Sequence, residues 1–291
     1  VWLFEIGVAH QIEQSTTYEY SGWLYADEFT ESIFPVSDNG YLILCTALHE
    51  AWVLKISSTY STEWDIRLSE RKDDWNRATT KVICVELADG SFLIAFNTDI
   101  ANEAVVSRVS SSGIVLWSKS YGGSGTDSIK EFIQVDGGFI IACTSNSSDG
   151  DITQPRGCDD YWLVKIDEDG EILWQKSYGG SDYDSVYCAI RTEPGASIIG
   201  GHTFSNDGDI VSENPFFGGW AIKVDSNGEL EWQLPIGGCY SLYDRITQAI
   251  QTSDGGFVLS GVAHSSEGCS IPGYHGGQDI MVAKVDEQGT L

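Results

Sequence analysis

The chain has 291 residues, 42% of them apolar, and a formal net charge of −27 because 43 acidic residues outnumber 16 basic ones. This acidity excludes nucleic acid and anionic lipid as partners, since both need a positive surface. No run approaches about 18 consecutive apolar residues, so we expect no insertion into a membrane. The dispersed charge fits a salty or cation-rich medium outside the cell, or serves simply to keep the protein in solution.

Apolar phrases recur along the chain. The basic residue of one phrase recurs at Lys55, Arg108, Lys165, Lys223 and Lys284. Short apolar runs bounded by Gly, Asp and Asn predict strands. In chain order the strand-forming phrases are 38–47 and 51–68, then 89–98 and 104–123, then 129–135, 136–145 and 160–180, then 186–192, 194–203 and 219–238, and finally 246–252, 254–263 and 278–291.

Turn sequences divide each period into four strands. The third and fourth strands are joined by Asp-x-x-Gly at 167–170, 225–228 and 286–289, which predicts a hairpin with Gly at positive φ. Four antiparallel strands in about 50–60 residues are typical of a β-propeller blade. We therefore predict an all-β, five-bladed β-propeller that occupies 1–291 as a single domain. Its blades are expected at about 8–68, 69–123, 124–180, 181–238, and 239–291 plus 1–7.

The last copy is divided between the two ends of the chain. Residues 284–291 followed by 1–7 match 223–237 without a gap, and Trp2 then falls on Trp232. We expect the N-terminal strand to pair with the C-terminal strands and close the ring, which would remove an open sheet edge. A fragment of a larger ring is the alternative. The first residue is Val rather than Met, so we expect a processed or trimmed chain.

The repeat D-x-W-x-V-K-x-D-x-x-G-x-x-x-W-x-K-x-x-G-G-S, followed by a DGG strand and an SNDGD loop, is similar to repeats of secreted and cell-surface β-propeller proteins of bacteria and archaea. The match is good over 100–291 and loose over 1–100. The resemblance implies an extracytoplasmic propeller used in adhesion or binding, and it implies no catalytic residue.

Two loops contain Asp-Gly-Asp pairs, formed by Asp149 with Asp151 and by Asp207 with Asp209. Carboxylate oxygens are ligands that a hard cation favours, so these four residues are candidates for a calcium site. The alternative is that Asp and Gly only build the turn. Asp127, Asp184 and Asp244 recur after the Gly-Gly turns, and recurrence at equivalent positions indicates a structural role.

Aromatic residues in irregular segments are the candidates for ligand binding. Aromatic faces beside carboxylates and amides suit a sugar or a protein ligand, and packing under long loops is the alternative. The candidates are Trp23, Trp75, Phe216, Phe217 and Tyr274.

The seven cysteines fall into two groups. Cys45, Cys84, Cys143 and Cys188 lie in apolar runs and are expected to be small buried side chains. Cys158, Cys239 and Cys269 lie in loops, where one disulfide is an option.

These features favour a non-enzymatic extracellular or cell-surface propeller that recognises a protein or a glycan, or that assembles with itself or with other envelope proteins. One alternative is a glycoside hydrolase or lyase that uses carboxylates in the central channel. The other is a structural spacer domain of an envelope protein or filament.

Overall fold

The computed structural model describes residues 2–6, 12–17, 28–47, 50–68, 81–98, 103–193, 195–211, 218–236, 244–264 and 278–291. This part of the chain contains strands and no α-helix, and so no helix of the kind that crosses a membrane. The chain divides into two compact units, described separately below. Unit 1 comprises 1–100 and 105–120, and unit 2 comprises 101–104 and 121–291.

Unit 1 contains one two-stranded sheet and two four-stranded sheets, in which each strand pairs with its neighbour along the chain. The strands are β1 (Trp2–Ile6) and β2 (Ile12–Thr17); β3 (Glu28–Pro35), β4 (Tyr41–Ala47), β5 (Glu50–Ile56) and β6 (Thr62–Arg67); and β7 (Val82–Glu86), β8 (Phe92–Asn97), β9 (Ala104–Val109) and β10 (Val115–Tyr121), the last two of which extend one residue into unit 2.

Unit 2 contains two four-stranded sheets and one sheet with three described strands, again paired in chain order. The strands are β11 (Asp127–Val135), β12 (Gly138–Ser145), β13 (Asp160–Ile166) and β14 (Ile172–Tyr178); β15 (Asp184–Arg191), β16 (Ser197–Thr203), β17 (Gly218–Val224) and β18 (Leu230–Ile236); and β19 (Arg245–Gln251), β20 (Phe257–Ala263) and β21 (Asp279–Val285). Within this unit β11 packs against β15, and β15 packs against β19.

The burial of each strand follows from its sequence pattern. The central strands β13 and β17 are buried on both faces along their whole length, and they are nearly continuous apolar runs. The fourth strands β6 and β10 alternate between exposed and half-buried residues, as an outer strand does. The predicted antiparallel four-stranded unit is therefore confirmed in four sheets.

The recurring lysines are buried or paired, as their repetition predicts. Lys55, Lys165 and Lys223 are almost inaccessible to solvent, while their ammonium groups reach polar partners beside the hairpins. The contacts of Nζ are Lys55 to Asp38 at 2.8 Å and to Glu63 at 2.9 Å, Lys165 to the carbonyl of Asp136 at 2.8 Å, Lys223 to Glu231 at 2.9 Å, and Lys284 to Asp254 at 2.8 Å.

In three sheets the tryptophan of the fourth strand, Trp64, Trp174 or Trp232, contacts the next sheet, whereas the indole N–H of Trp117 has no hydrogen-bond partner among the described residues. The indole of Trp174 donates a 3.1 Å hydrogen bond to the carbonyl of Ser226, in the hairpin of the following sheet. Trp232 makes the same contact with Glu287 at 3.0 Å. The rings also pack on the hairpin glycines, so the repeated Trp and the repeated Gly form one contact between successive sheets.

Apolar clusters fill the spaces between successive sheets of each unit. In unit 2 the ring centroids of Tyr161 and Trp220 lie 4.7 Å apart, and the Tyr161 hydroxyl donates to the carbonyl of Trp220 at 3.0 Å. Both residues are fully buried. The buried phenol thus has a hydrogen-bond partner, as burial of a polar group requires.

The N-terminal strand has a different partner from the one we predicted. β1 pairs antiparallel with β2, with Trp2 opposite Thr17, and β21 pairs only with β20 among the described strands. The expected closure of the last sheet by hydrogen bonds to 1–7 is therefore not found. Pairing two strands that are adjacent in sequence closes only a short loop, so it costs little conformational entropy. This low cost favours the observed hairpin.

The cysteines in strands, Cys45, Cys84, Cys143 and Cys188, are buried, as expected. Burial raises the pKa of the Cys84 thiol to about 12 and that of Cys143 well above its usual range. Cys158 is exposed and free. Cys239 and Cys269 lie outside the described residues.

Candidate functional site

The Asp-Gly-Asp loops bind the Gly-Gly turns that precede them. Asp149 Oδ1 accepts a 2.6 Å hydrogen bond from the backbone N–H of Ser124, and Asp207 Oδ1 accepts one of 2.7 Å from Ser181. These bonds to the charged form hold the pKa of Asp149 and of Asp207 below the usual range. The first Asp of each pair therefore fixes the turn that leads into the same sheet.

The second Asp of each pair binds the same turn from its other end. Asp151 Oδ2 accepts from the N–H of Gly122 at 3.0 Å, and Asp209 Oδ2 accepts from Gly179 at 3.2 Å. We call this pairing of an Asp-Gly-Asp loop with a Gly-Gly turn the loop latch. It has the same hydrogen-bond pattern in both sheets.

Gly208 lies between the two acids of the second latch, at a position where the loop requires glycine. Its φ is +67°, a conformation that side-chain-bearing residues rarely adopt. A Cβ at this position would also lie only 2.8 Å from the Cα of Gly180. The two backbones approach so closely that no side chain fits between them.

The recurring acids after the turns lie beneath the latch. Asp127 is fully buried, and its Oδ2 accepts from the N–H of Gly123 at 2.8 Å and from the hydroxyl of Ser147 at 2.8 Å. Asp184 is also fully buried and repeats these contacts with Gly180 at 2.8 Å and Ser205 at 2.9 Å. Asp244 is buried in the last sheet and accepts from the N–H of His264. The predicted structural role of all three is confirmed.

Asp160, which the sequence did not single out, lies beside Asp184 at the junction of two sheets. Oxygens of both carboxyl groups would lie 2.5 Å from a Cβ at Gly179, so they flank this glycine. Burial raises the pKa of Asp184 to about 6, opposed by hydrogen bonds from Gly180 and Ser205. Burial also raises the pKa of Asp160, whose Oδ1 has no hydrogen-bond partner among the described residues.

The four candidate calcium ligands are thus engaged with backbone amides. Within the described ranges no group of three or more His, Cys, Asp or Glu side chains is arranged to hold a metal ion. A calcium site at these loops stays a prediction, and the latch gives the same residues a second role that needs no cation.

The candidate aromatic ligand-binding residues, Trp23, Trp75, Phe216, Phe217 and Tyr274, all lie outside the described residues. Their role stays a prediction.

The described loops nevertheless contain functional groups that the sequence pattern did not highlight. Arg156 and Gln154 lie between β12 and β13, at positions without a repeated partner, and a search for residues that break the repeat would have found them.

No protein-family model matches the chain, and no curated protein matches its sequence. Solved structures do resemble it, and propeller proteins are among them. Plexin A of Drosophila in complex with semaphorin 1b is 12% identical, with 89% of this chain and 52% of that chain covered and a TM-score of 0.50. This similarity supports the fold alone.

Two further structures give weaker matches. The extracellular domains 1–2 of Drosophila semaphorin 1b are 9% identical, with 91% of this chain and 67% of that chain covered and a TM-score of 0.44. A dihydro-heme d1 dehydrogenase, NirN, is 11% identical, with 96% and 53% covered and a TM-score of 0.47. The chain spans about half the length of the plexin and dehydrogenase chains that it resembles.

Proposed function

We propose that this protein is a non-enzymatic extracellular propeller of five blades that recognises a protein or a glycan through its less regular loops. The observation that supports this most directly is the loop latch. The acids of two successive loops accept hydrogen bonds from the turns beside them, so they act as a rigid frame. Rigid frames that display variable loops are typical of binding proteins.

The five repeats support five blades in one ring over 1–291, with blades at about 8–68, 69–123, 124–180, 181–238, and 239–291. The plexin A structure is that of a complex with a semaphorin, and a comparable use of a propeller to bind a protein is part of this proposal. The acidic surface suits an extracellular medium rich in cations.

Screening the purified protein against a glycan array and against candidate envelope proteins tests the proposal, with each bound ligand re-examined by mass spectrometry for cleavage. Saturable binding of an intact ligand supports it. Cleaved or eliminated sugar products would replace it with the hydrolase or lyase hypothesis. Absence of any ligand, together with ordered self-association in analytical ultracentrifugation, would replace it with the spacer or filament hypothesis.

A further inference from the structure

A cavity of about 400 Å³ lies in unit 2, where the sheet β11–β14 meets the sheet β15–β18. This volume falls in the range of small-molecule sites, about 300–1,000 Å³. Both polar and apolar side chains line it. They come from the β12–β13 connection, β14, the second latch, and the β17–β18 hairpin with the start of β18. These residues are Gln154, Arg156, Lys176, Asp209, Glu229 and Leu230.

Arg156 offers unused hydrogen-bond donors to this cavity. Its guanidinium has one contact among the described residues, with Asp209 at 3.5 Å, and its side chain is 40% exposed. A guanidinium carries five N–H donors in a planar fork. Most of them are therefore open to a ligand. The amide of Gln154 beside it is exposed and makes no hydrogen bond in the described part of the chain.

Lys176 and Glu229 also line the cavity. The two groups are 2.6 Å apart, and Lys176 is 29% exposed while Glu229 is 74% exposed. An exposed pair of this kind contributes little to stability, so both groups are free to exchange partners with a ligand. Together with Arg156 and Gln154 they present donors and acceptors around one small volume.

Arg156 and Gln154 are not general features of the repeat. Aligning the two Asp-Gly-Asp loops places Asn214 at the position of Arg156 and Ser212 at that of Gln154. Aligning the fourth strands places Lys119 and Leu234 at the position of Lys176, so a lysine occurs there in two of these strands. Arg156 is therefore a local addition in a chain that has only 16 basic residues against 43 acids, and in the cavity Arg156 and Lys176 lie beside Asp209 and Glu229.

We propose that this cavity binds the carboxylate-bearing unit of an acidic saccharide, an inference that rests on the proposed binding function and specifies its ligand class. The guanidinium of Arg156 matches a carboxylate in a forked, two-bond geometry. Gln154, Lys176, Asp209 and Glu229 supply the mixed donors and acceptors that sugar hydroxyls need, and Leu230 supplies an apolar contact for the ring. A simple inorganic anion would use only the cations.

Isothermal titration with trigalacturonate, at low salt, tests this assignment. We expect R156Q and K176Q each to weaken binding about tenfold, since each removes a charge-assisted hydrogen bond. R156K keeps the charge but loses the fork, so an intermediate loss is expected. The matched controls are K119Q, at the position of Lys176 one repeat earlier, and R191Q, an Arg of similar exposure paired with Asp136 at 2.8 Å. Both should bind as the wild type does.

Several results would overturn the assignment. They are absence of trigalacturonate binding, equal binding by R156Q and R156K, equal binding of neutral trigalactose, and displacement by sulfate at the same concentration as by the sugar. Melting curves of each variant identify any that fails to fold, and R156K then carries the test. If the glycan array shows a ligand that binds R156Q normally, this site is wrong while the proposed binding function stands.

Discussion

Asp207 accepts a 2.7 Å hydrogen bond from the backbone N–H of Ser181, and the two residues belong to different loops at the same end of one sheet. Asp149 and Ser124 repeat this relationship at 2.6 Å in the preceding sheet. A carboxylate that accepts from a backbone amide makes a stronger bond than a neutral acceptor. The repeated acids therefore hold the loops in place, and this role does not require a bound ion.

Replacing the latch acid is expected to lower the melting temperature. D207A removes the acceptor and leaves the N–H of Ser181 without its partner, whereas D207N keeps an oxygen acceptor without the charge. We predict that D207A is less stable than D207N, and D207N less stable than wild type, in thermal unfolding followed by circular dichroism. E287A is the control, because Glu287 is exposed and its carboxylate makes no hydrogen bond among the described residues. A D207A curve that overlays that of wild type would contradict the latch.

Asp184 makes the stability depend on pH. Its pKa is raised to about 6 in the folded protein by burial, so the folded state binds more protons than the unfolded state between about pH 4 and pH 6. Its charged form opposes folding at neutral pH, and this penalty disappears as the pH falls. The D184N variant has no carboxyl group at this position, so it lacks this pH dependence of stability.

We therefore expect the free energy of unfolding of wild type, relative to D184N, to rise by about 2 kcal/mol between about pH 7.5 and pH 4.5 in urea titrations. The groups that face Asp184 and its neighbour Asp160 are Tyr161, Arg156 and Asp209, and they are present in both proteins. A constant difference between the two proteins across this range would show that Asp184 titrates normally.

The contact between Trp174 and the hairpin Gly228 is tested by a matched pair of glycine substitutions. Gly228 has φ +75°, and a Cβ there would lie 2.9 Å from the indole ring. Gly255 has φ +83° and no atom within 4 Å of the same position. G255A measures the backbone strain alone, about 1 kcal/mol. We expect G228A to cost about 1–3 kcal/mol more in urea unfolding, because it also disturbs a packed contact. Equal losses of stability in the two variants would show that the Trp174 ring moves aside without an energetic penalty.

Thiol reactivity is expected to separate the cysteines. Cys158 is exposed, whereas Cys45, Cys84, Cys143 and Cys188 are buried and the thiols of Cys84 and Cys143 have raised pKa values. Iodoacetamide should label Cys158 in the native protein and the four buried residues only after unfolding, as read by peptide mass spectrometry. Rapid native labelling of Cys143 would mean that β12 opens.

Much of the fold follows from the sequence because each signal is local. The Asp-x-x-Gly hairpins, the continuous apolar run of β13 and the repeated Trp174 and Trp232 each depend on neighbouring residues, and the structure confirms them. The structural role of Asp127 and Asp184 also followed from their repetition, since a residue that recurs at equivalent positions stabilises the fold that the repeats share.

The sequence did not predict features that depend on contacts between distant residues. β1 pairs with β2 rather than with β21, although its sequence matches the missing outer strand, because similarity of a strand does not determine its partner. The proximity of Asp160 and Asp184 arises between two sheets, and nothing in either strand alone indicates it. The cavity at Arg156 likewise combines four segments, and only the break in the repeat points toward it.

Amide hydrogen exchange at Ser124 and Ser181 tests the central claim, that Asp149 and Asp207 bind these turns and not a cation. In wild type treated with EDTA, we predict slow exchange at both amides. D207A should accelerate exchange at Ser181 and leave Ser124 protected, and D149A should do the reverse. Fast exchange at both amides in EDTA that becomes slow when calcium is added would contradict the claim and establish a calcium site in its place.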